Sequence, residues 1–295
     1  MTSGFDITKL QSPEVITYIN DLKTKVYLES KFIKYATKLS GNGTIYAPKV
    51  DMDDFTFVDA KVNTTWNPDA SGITFEEVKI PLLFYKNERS YKTDQLRPTY
   101  LLGQLPAGSW NSALNLPSEA LLFTLMELKA RKALDKLSFD AVISAITTDS
   151  GATQKHIKNT SGSTAAEKLE QLYLSYADTC KGRESVAYVS LADFVSIQMY
   201  FGKLNNYHLT PVLGVGEFEM VYPLSPNITI VASENIATGK MFITPKLNLI
   251  SGVGENDLTD LFQVEPYFRD RSIDTRIIYN WGASLFYLEY VVANF

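Results

Sequence analysis

The stretch Thr275-Arg-Ile-Ile-Tyr-Asn-Trp-Gly-Ala-Ser-Leu-Phe-Tyr-Leu-Glu-Tyr-Val-Val-Ala-Asn-Phe295 decides the fold of this chain. β-Branched and aromatic residues crowd it, and such residues favour the pleated surface of a sheet. Its only turn signals are Asn280 and Gly282. The stretch therefore predicts one long strand, or two strands with a bend, and a C-terminus that is tied into a sheet.

The composition is that of an ordinary globular protein with a sizeable core. The chain has 295 residues, 45% of them hydrophobic, and a formal net charge of −5. Basic residues are interspersed with acidic ones, which argues against tight binding of nucleic acid, because that needs a clustered basic surface. The single cysteine, Cys180, excludes an intrachain disulfide and a site with several thiolate ligands. We expect it to be a small buried residue in a reducing environment.

Two kinds of function find little support in the residues. The N-terminus lacks the features of a signal peptide, and no run approaches the ~20 apolar residues of a membrane span, so neither export nor membrane insertion is expected. The only histidines, His156 and His208, lie in polar turn contexts without a second metal ligand nearby. Gly214-Val-Gly216 and Gly252-Val-Gly254 lack the Lys-Ser/Thr of a phosphate loop and are interpreted as turn glycines. We expect no catalytic, cofactor or metal site.

The first 81 residues predict a helix followed by a long hairpin. Apolar residues recur at helical spacing from Ser12 to Leu39, and a Gly-Asn-Gly sequence follows at 41–43. Residues 44–81 contain two alternating runs, over residues 55–58 and 73–80, separated by a polar tip from Asn63 to Gly72. An isolated hairpin is marginally stable in water, so it must lie on its own sheet or on another molecule.

The strongest helix signal runs from about Pro117 to Thr148 and predicts an element roughly 45 Å long. Its expected apolar stripe comprises Leu121, Leu122, Leu125, Leu128, Ala133, Leu134, Leu137, Ala141, Val142 and Ala145.

A mixed α/β segment follows the long helix. A second helix is expected to begin at residues 162–167, with Ser163 or Thr164 as its cap. The run Ser185-Val-Ala-Tyr-Val-Ser190 predicts a strand that leads directly into a helix over residues 191–200. Residues 228–232 and 240–244 predict further strands around a turn at Gly239.

This order of elements resembles that of the major capsid proteins of tailed phages, which share the α+β, Hong Kong 97-type (HK97-like) fold. The junction of Ser190, Asp193 and Phe194 is similar to a strand-to-helix junction of that family. The resemblance implies an N-terminal arm (1–43), an extended hairpin called the E-loop (44–81), and a P-domain with a long spine helix (82–154). It also implies an axial A-domain (155–258), returning P-domain strands (259–282) and a terminal A-domain strand (283–295).

The function implied by this resemblance is structural and not enzymatic. Copies would assemble as hexamers and pentamers into an icosahedral phage head that encloses double-stranded DNA, without a cofactor. Scaffolding, portal and decoration proteins are implied as further partners, the DNA would be contacted only non-specifically, and the virion would assemble in the bacterial cytoplasm. The shell of an encapsulin nanocompartment, which encloses cargo enzymes, is the first alternative. A cytosolic α/β enzyme or ligand-binding domain is the second, although no convergent polar cluster supports it.

A charged, turn-prone segment precedes the terminal stretch and is the first candidate for a contact between subunits. We call this segment, residues 265–274, the charge cluster; its charged residues are Glu265, Arg269, Asp270, Arg271 and Asp274. It is either a solvated loop with weak ion pairs or, as the resemblance implies, a contact with a neighbouring subunit. Its candidate partners across subunits are Glu76, Glu77, Lys79, Glu88 and Arg89.

Overall fold

The computed structural model describes residues 30–52, 73–92, 117–148, 162–176, 178–204, 218–254, 262–267 and 272–295. Predictions for the N-terminal helix before Ser30, the hairpin tip, both histidines, Gly214, Gly216, Arg269, Asp270 and Arg271 lie outside these residues. The strands are β1 (Thr37–Gly41), β2 (Thr44–Met52), β3 (Ile73–Pro81), β4 (Leu83–Lys92), β5 (Ser185–Ser190), β6 (Glu219–Val221), β7 (Ile228–Ser233), β8 (Met241–Pro245), β9 (Leu249–Gly254), β10 (Phe262–Tyr267), β11 (Ser272–Leu285) and β12 (Val292–Asn294). The helices are α1 (Pro117–Thr148), α2 (Ala165–Ser175), α3 (Asp178–Lys181) and α4 (Leu191–Leu204), and short 3-10 helices span Lys246–Asn248 and Leu288–Tyr290.

One five-stranded sheet forms the centre of the α/β part. Its strand order is β12-β8-β5-β7-β6, with β5 and β7 parallel and the other pairs antiparallel. Alternate residues of β5 enter two cores: Ala187 and Val189 pack with α2 and α4, whereas Val186 and Tyr188 pack with α1 and Phe32. The sheet is therefore covered on both faces, which explains why β5 is a continuous buried run.

The predicted elements of this α/β part are confirmed. Thr164 caps α2 in a capping box with Glu167. At the junction of β5 and α4, the Ser190 hydroxyl donates to Asp193 Oδ2 at 2.7 Å and accepts from the Asp193 amide at 3.1 Å. The same carboxylate oxygen accepts the Gly239 amide at 2.7 Å, and Gly239 has a positive φ of 83°. Asp193 thus ties the start of α4 to the turn between β7 and β8.

The long helix α1 has the predicted bounds, and its 32 residues span about 48 Å. In the part of this helix whose side chains are described, the buried apolar residues are Met126, Ala130, Leu134, Phe139, Val142 and Ile146. The predicted stripe residues Leu121, Leu122 and Leu125 lie outside that part. The expected stripe is wrong at Leu128 and Ala133, which are exposed. Apolar residues occur on more than one side of this helix, so their spacing alone does not identify the side that faces the sheet.

The second five-stranded sheet is organised around β11. Strand β4 pairs antiparallel with residues 272–281 of β11, and β10 pairs antiparallel with residues 272–277, so the two strands lie on opposite edges of β11. Strand β9 pairs antiparallel with residues 281–285 of β11, and β1 pairs parallel with β9. The terminal stretch forms two strands, the second of the two predicted alternatives, but Asn280 and Gly282 lie inside β11 and do not mark the division. The interruption falls at residues 286–291, after which β12 joins the other sheet.

Two further expectations are wrong. Residues 31–36 form turns and residues 37–41 form β1, so the N-terminal helix does not extend to Leu39. The backbone bonds show how the chain leaves the helical path: one helical bond, from the Lys34 amide to the Ser30 carbonyl, is followed by two tighter bonds, from the Tyr35 amide to the Phe32 carbonyl and from the Ala36 amide to the Ile33 carbonyl. Gly252 and Gly254 are not turn glycines but residues of β9.

Candidate inter-subunit surface

Residues 44–81 contain a hairpin, as predicted: β2 and β3 pair antiparallel, with Ile45 opposite Ile80. The predicted run over residues 73–80 lies in β3, whereas the predicted run over residues 55–58 lies outside the described residues. They form a two-stranded sheet of their own. One face of the hairpin, which we call the inner face, buries Ile45, Ala47 and Ile80 against Ile250 of β9. The base of the hairpin therefore belongs to the core of its own chain.

The other face, which we call the outer face, carries Tyr46, Phe75, Glu77 and Lys79. Phe75 is 78% exposed and Tyr46 is 55% exposed, and Glu77 and Lys79 are exposed as well. Lys79 lies opposite Tyr46 in the strand register, with its Nζ 6.0 Å from the centre of the tyrosine ring. Within the described residues, this face presents aromatic and charged groups together to the surroundings. Such a surface suits contact with another protein.

Glu76 points to the inner face, as its alternation with Glu77 requires. It lies opposite Lys49 in the register, and Lys49 Nζ is 3.1 Å from Glu76 Oε2. Lys49 Nζ also lies 5.0 Å from the ring centre of Tyr287, in the segment between β11 and β12. The Tyr287 amide donates to Asn248 Oδ1 at 2.7 Å, and Asn248 Nδ2 donates to the Tyr287 carbonyl at 2.8 Å. Lys49 thus connects the hairpin to a firmly held part of the body.

Glu88 takes part in an ion-pair cluster within its own chain. Its Oε1 is 2.6 Å from Lys86 Nζ and 3.2 Å from Nε of Arg276, which lies opposite it in β11. The hydrogen bond from Lys86, with the charges of Lys86 and Arg276, lowers the pKa of Glu88. Arg89 is exposed, and its carbonyl accepts the Thr275 hydroxyl at 3.2 Å. Sequence reasoning missed Arg276, although the alternation of β11 and β4 was a usable signal.

The charge cluster is not one turn-prone segment, and the expectation is wrong at both ends. Glu265 lies in β10 directly opposite Asp274 in β11, and Asp274 is also opposite Ser90 of β4. Oδ1 of Asp274 is buried and has no hydrogen-bond partner among the described residues. The structure therefore places two of the acidic residues in a paired sheet, while an inter-subunit role of the cluster stays a prediction.

A second region of interest joins the start of the described chain to α1. The Ser30 hydroxyl donates to Asp135 Oδ1 at 2.6 Å, and the Phe32 amide donates to the same oxygen at 3.2 Å. Asp135 is only 7% exposed. Its burial raises the pKa above the ordinary value, against the opposing effect of these hydrogen bonds. Sequence reasoning missed this site, although an aspartate next to Leu134 in an apolar stripe was a signal for it.

The residues after Ser30 also contact the central sheet. Lys31 Nζ donates to the Ala232 carbonyl at 2.7 Å. Glu219 Oε2 accepts from Lys34 Nζ at 2.6 Å and from the Tyr35 hydroxyl at 2.8 Å. Burial, followed by the bond to Glu219, raises the pKa of Tyr35. Residues 30–35 therefore bridge α1 and the β6–β7 edge of the central sheet, and we call them the bridge segment.

Other kinds of site find little support among the described residues. In those ranges no group of three or more His, Cys, Asp and Glu residues is arranged to hold a metal ion. None of the helices within the described ranges has the length and apolarity needed to cross a membrane. Cys180 is buried, as predicted.

Comparison with solved structures identifies the fold. No family model matches the chain, and no curated protein matches its sequence. A virus-like particle from Pyrococcus furiosus matches with a TM-score of 0.55 at 13% identity, over 96% of this chain and 100% of the other. The satellite phage P4 procapsid that includes the size determination (Sid) protein matches with 0.57 at 9% identity, over 99% and 93%. Mycobacterium phage Che8 matches with 0.53 at 12% identity, over 90% and 91%. The fold of this chain is thus the α+β, Hong Kong 97-type fold of tailed-phage capsid proteins.

Proposed function

We propose that this protein is a shell subunit: a tailed-phage major capsid protein that assembles as hexamers and pentamers into an icosahedral head. The outer face of the hairpin is the observation that carries the proposal. It exposes Phe75 and Tyr46 on a two-stranded element whose buried residues, within the described part of the hairpin, lie at its base. A second subunit that covered this face would remove its aromatic side chains from water, which favours association.

The proposed domain division follows the resemblance to the capsid family. Residues 1–43 are the arm, 44–81 the E-loop, 82–154 and 259–282 the P-domain, and 155–258 with 283–295 the A-domain. Pairing of β4 with β11 supports a P-domain built from two distant segments. Pairing of β12 with β8 supports the return of the C-terminus to the A-domain.

In such a shell, the charge cluster would contact a neighbouring subunit through Arg269 and Arg271. The acidic residues Glu76, Glu77 and Glu88, together with Lys79 and Arg89, stay candidates for the opposite side of that contact. Glu77 is the strongest of them, because it is exposed on the outer face. Glu76 and Glu88 already pair with lysine or arginine side chains of their own chain.

The proposed contents of the shell are double-stranded DNA held without sequence preference. A net charge of −5 with interspersed basic residues suits a wall that does not hold the genome tightly. The role is structural and not enzymatic, in a virion assembled in the bacterial cytoplasm. Scaffolding, portal and decoration proteins are its proposed partners.

A nanocompartment shell of the encapsulin type is the second candidate. The observation that favours it is the match to the Pyrococcus furiosus virus-like particle, whose chain is covered over its full length. The two candidates share the subunit fold and the self-assembly, and they differ in what the shell encloses.

The test is to express the full chain in bacteria and to analyse the purified protein by light scattering and electron microscopy. Closed particles with icosahedral symmetry are expected. A 33.1 kDa species as the only form, at every protein and salt concentration, would contradict a shell function. Co-expression with the neighbouring genes of the source genome distinguishes the candidates, since nuclease-protected DNA indicates a phage head and a co-purified cargo enzyme indicates a nanocompartment.

A further inference from the structure

We propose that Gly252 and Gly282 form a seat that fixes the direction in which the hairpin leaves the body of the protein. The two glycines are directly opposite each other on the antiparallel strands β9 and β11. Both contact Ile80 and Leu82, at the point where β3 turns into β4. A glycine inside a strand often marks a place where another part of the chain approaches closely.

Gly282 has less space than Gly252, and the atom nearest to it belongs to the backbone of β3. A Cβ atom at this position would lie 2.7 Å from the carbonyl oxygen of Pro81, the last residue of β3, and 3.0 Å from Cγ2 of Ile80. The end of a side chain can rotate away from a new methyl group, whereas a backbone carbonyl can move only together with its strand. An alanine at position 282 would therefore push the end of β3 away from the sheet.

Gly252 makes a softer approach, to side chains only. A Cβ atom there would lie 2.9 Å from Cδ2 of Leu82 and 3.0 Å from Cδ1 of Ile45. Both atoms are at the ends of flexible side chains. The same substitution is expected to displace the hairpin less at position 252 than at position 282.

Lys49 supplies a second attachment further along the hairpin. It pairs with Glu76 across the strands and lies over the ring of Tyr287 on the body. A hairpin that is held at its base by the glycine seat and along its inner face by Lys49 has two separate points of support. With both attachments the direction of the hairpin is fixed, whereas with the glycine seat alone the hairpin could rotate about its base.

The direction matters because the hairpin is long. Each of its strands has nine residues, or about 30 Å at 3.3 Å per residue, so a rotation of about 10° at the base moves the far end by about 5 Å. Under the proposed shell function, on which this consequence rests, the direction decides which part of a second subunit the outer face meets. The seat itself is a property of the single chain.

The experiment measures that direction by a distance between two spin labels. Cysteines replace Phe75 on the hairpin and Leu247 on the body, each 78% exposed, whereas the native Cys180 is buried and does not label. Double electron–electron resonance is recorded on labelled chains diluted with an excess of unlabelled chains. The variants are Gly282→Ala, Gly252→Ala and the double variant Gly252→Ala with Leu82→Ala. The matched control is Gly182→Ala, where a new Cβ meets nothing within 4 Å.

A shift of a few Å is expected for Gly282→Ala, a smaller one for Gly252→Ala, and none for Gly182→Ala. Removal of the Leu82 side chain should return the Gly252→Ala distance toward that of the parent. An unchanged distance in folded Gly282→Ala would overturn the proposal. If that variant does not fold, a Gly252→Ala distance that is unchanged, or that Leu82→Ala does not reverse, overturns it instead. Both labels are on one chain and the measurement does not require shells, so a protein that forms no shells but shows these shifts contradicts the shell function and not the seat.

Discussion

The hydroxyl of Ser30 and the carboxylate of Asp135 are joined by a buried 2.6 Å hydrogen bond, although 105 residues separate them in the chain. The bond fastens the bridge segment to the middle of α1. The same segment reaches the central sheet through Lys31 and Lys34. The position of α1 relative to that sheet therefore depends on a few polar contacts in addition to the apolar core.

Replacement of Asp135 by alanine is expected to destabilise the folded chain by about 1–3 kcal/mol. The reason is that the Ser30 hydroxyl and the Phe32 amide would lose this buried acceptor. Urea unfolding followed by circular dichroism measures the difference. The matched control is Asp140→Ala on the same helix, because Asp140 is exposed. Equal effects of the two substitutions would show that the buried contact does not stabilise the fold.

The stability of the wild-type chain relative to Asp135→Asn should fall as the pH rises. Burial raises the pKa of Asp135 in the folded state, so the folded chain binds this proton more tightly than the unfolded chain does. The stability that this proton contributes is fully present below the ordinary pKa of a carboxyl group. It is lost as the pH rises through the raised pKa of Asp135. The positive charge of Lys31 opposes this shift and lowers the pKa of Asp135. Glu219, Glu234 and Arg131 in turn act on the charge of Lys31. Unfolding free energies of both chains, measured from acid to neutral pH, test the sign; a relative stability that rises with pH would be the contrary result.

Deletion of residues 63–72 should leave the body folded while impairing assembly. Among the described residues of the hairpin, the buried side chains Ile45, Ala47 and Ile80 lie at its base, and the polar sequence of residues 63–72 is expected to add little to a core. Thermal melting of the deleted chain tests folding, and particle yield tests assembly. Collapse of the body on deletion would place the tip in the intrachain core and contradict the assignment of residues 44–81 as an E-loop.

Replacement of Arg269 or Arg271 by alanine should weaken particles more than it weakens the isolated subunit. A buried inter-subunit pair that loses one partner costs on the order of 3 kcal/mol, whereas an exposed pair costs less than about 1 kcal/mol. In a symmetric shell the loss recurs at every copy. Particle yield and the melting of particles and subunits are the measurements, with exposed Arg183→Ala as the control. Unchanged particles in both variants would show that Arg269 and Arg271 make no contact that stabilises the shell.

Local signals in the sequence predicted most of the elements, because those signals act over a few residues. The bounds of α1 follow from Pro117 and from a long helical periodicity. Thr164 and Glu167 predict the start of α2, since a capping box needs only residues three apart. The strand β5 and the helix α4 were predicted from an abrupt change of period at Ser190. The order of these elements then carried the resemblance to the capsid fold.

Contacts between distant residues decided the rest, because no local pattern encodes them. The sequence did not select the side of α1 that is buried, nor did it show that Asp135 holds Ser30 in a turn where helical spacing continued. The sequence also did not show that residues 275–295 contribute to two different sheets. Strand propensity predicts a strand but does not predict the strand with which it pairs. From the sequence, Gly252 and Gly282 are interpreted as turn residues, and only the pairing of β9 with β11 places them opposite each other beside the base of the hairpin. The sequence by itself thus determined which elements form, and the tertiary structure decided which of their faces meet, because burial depends on partners that are far away in the chain.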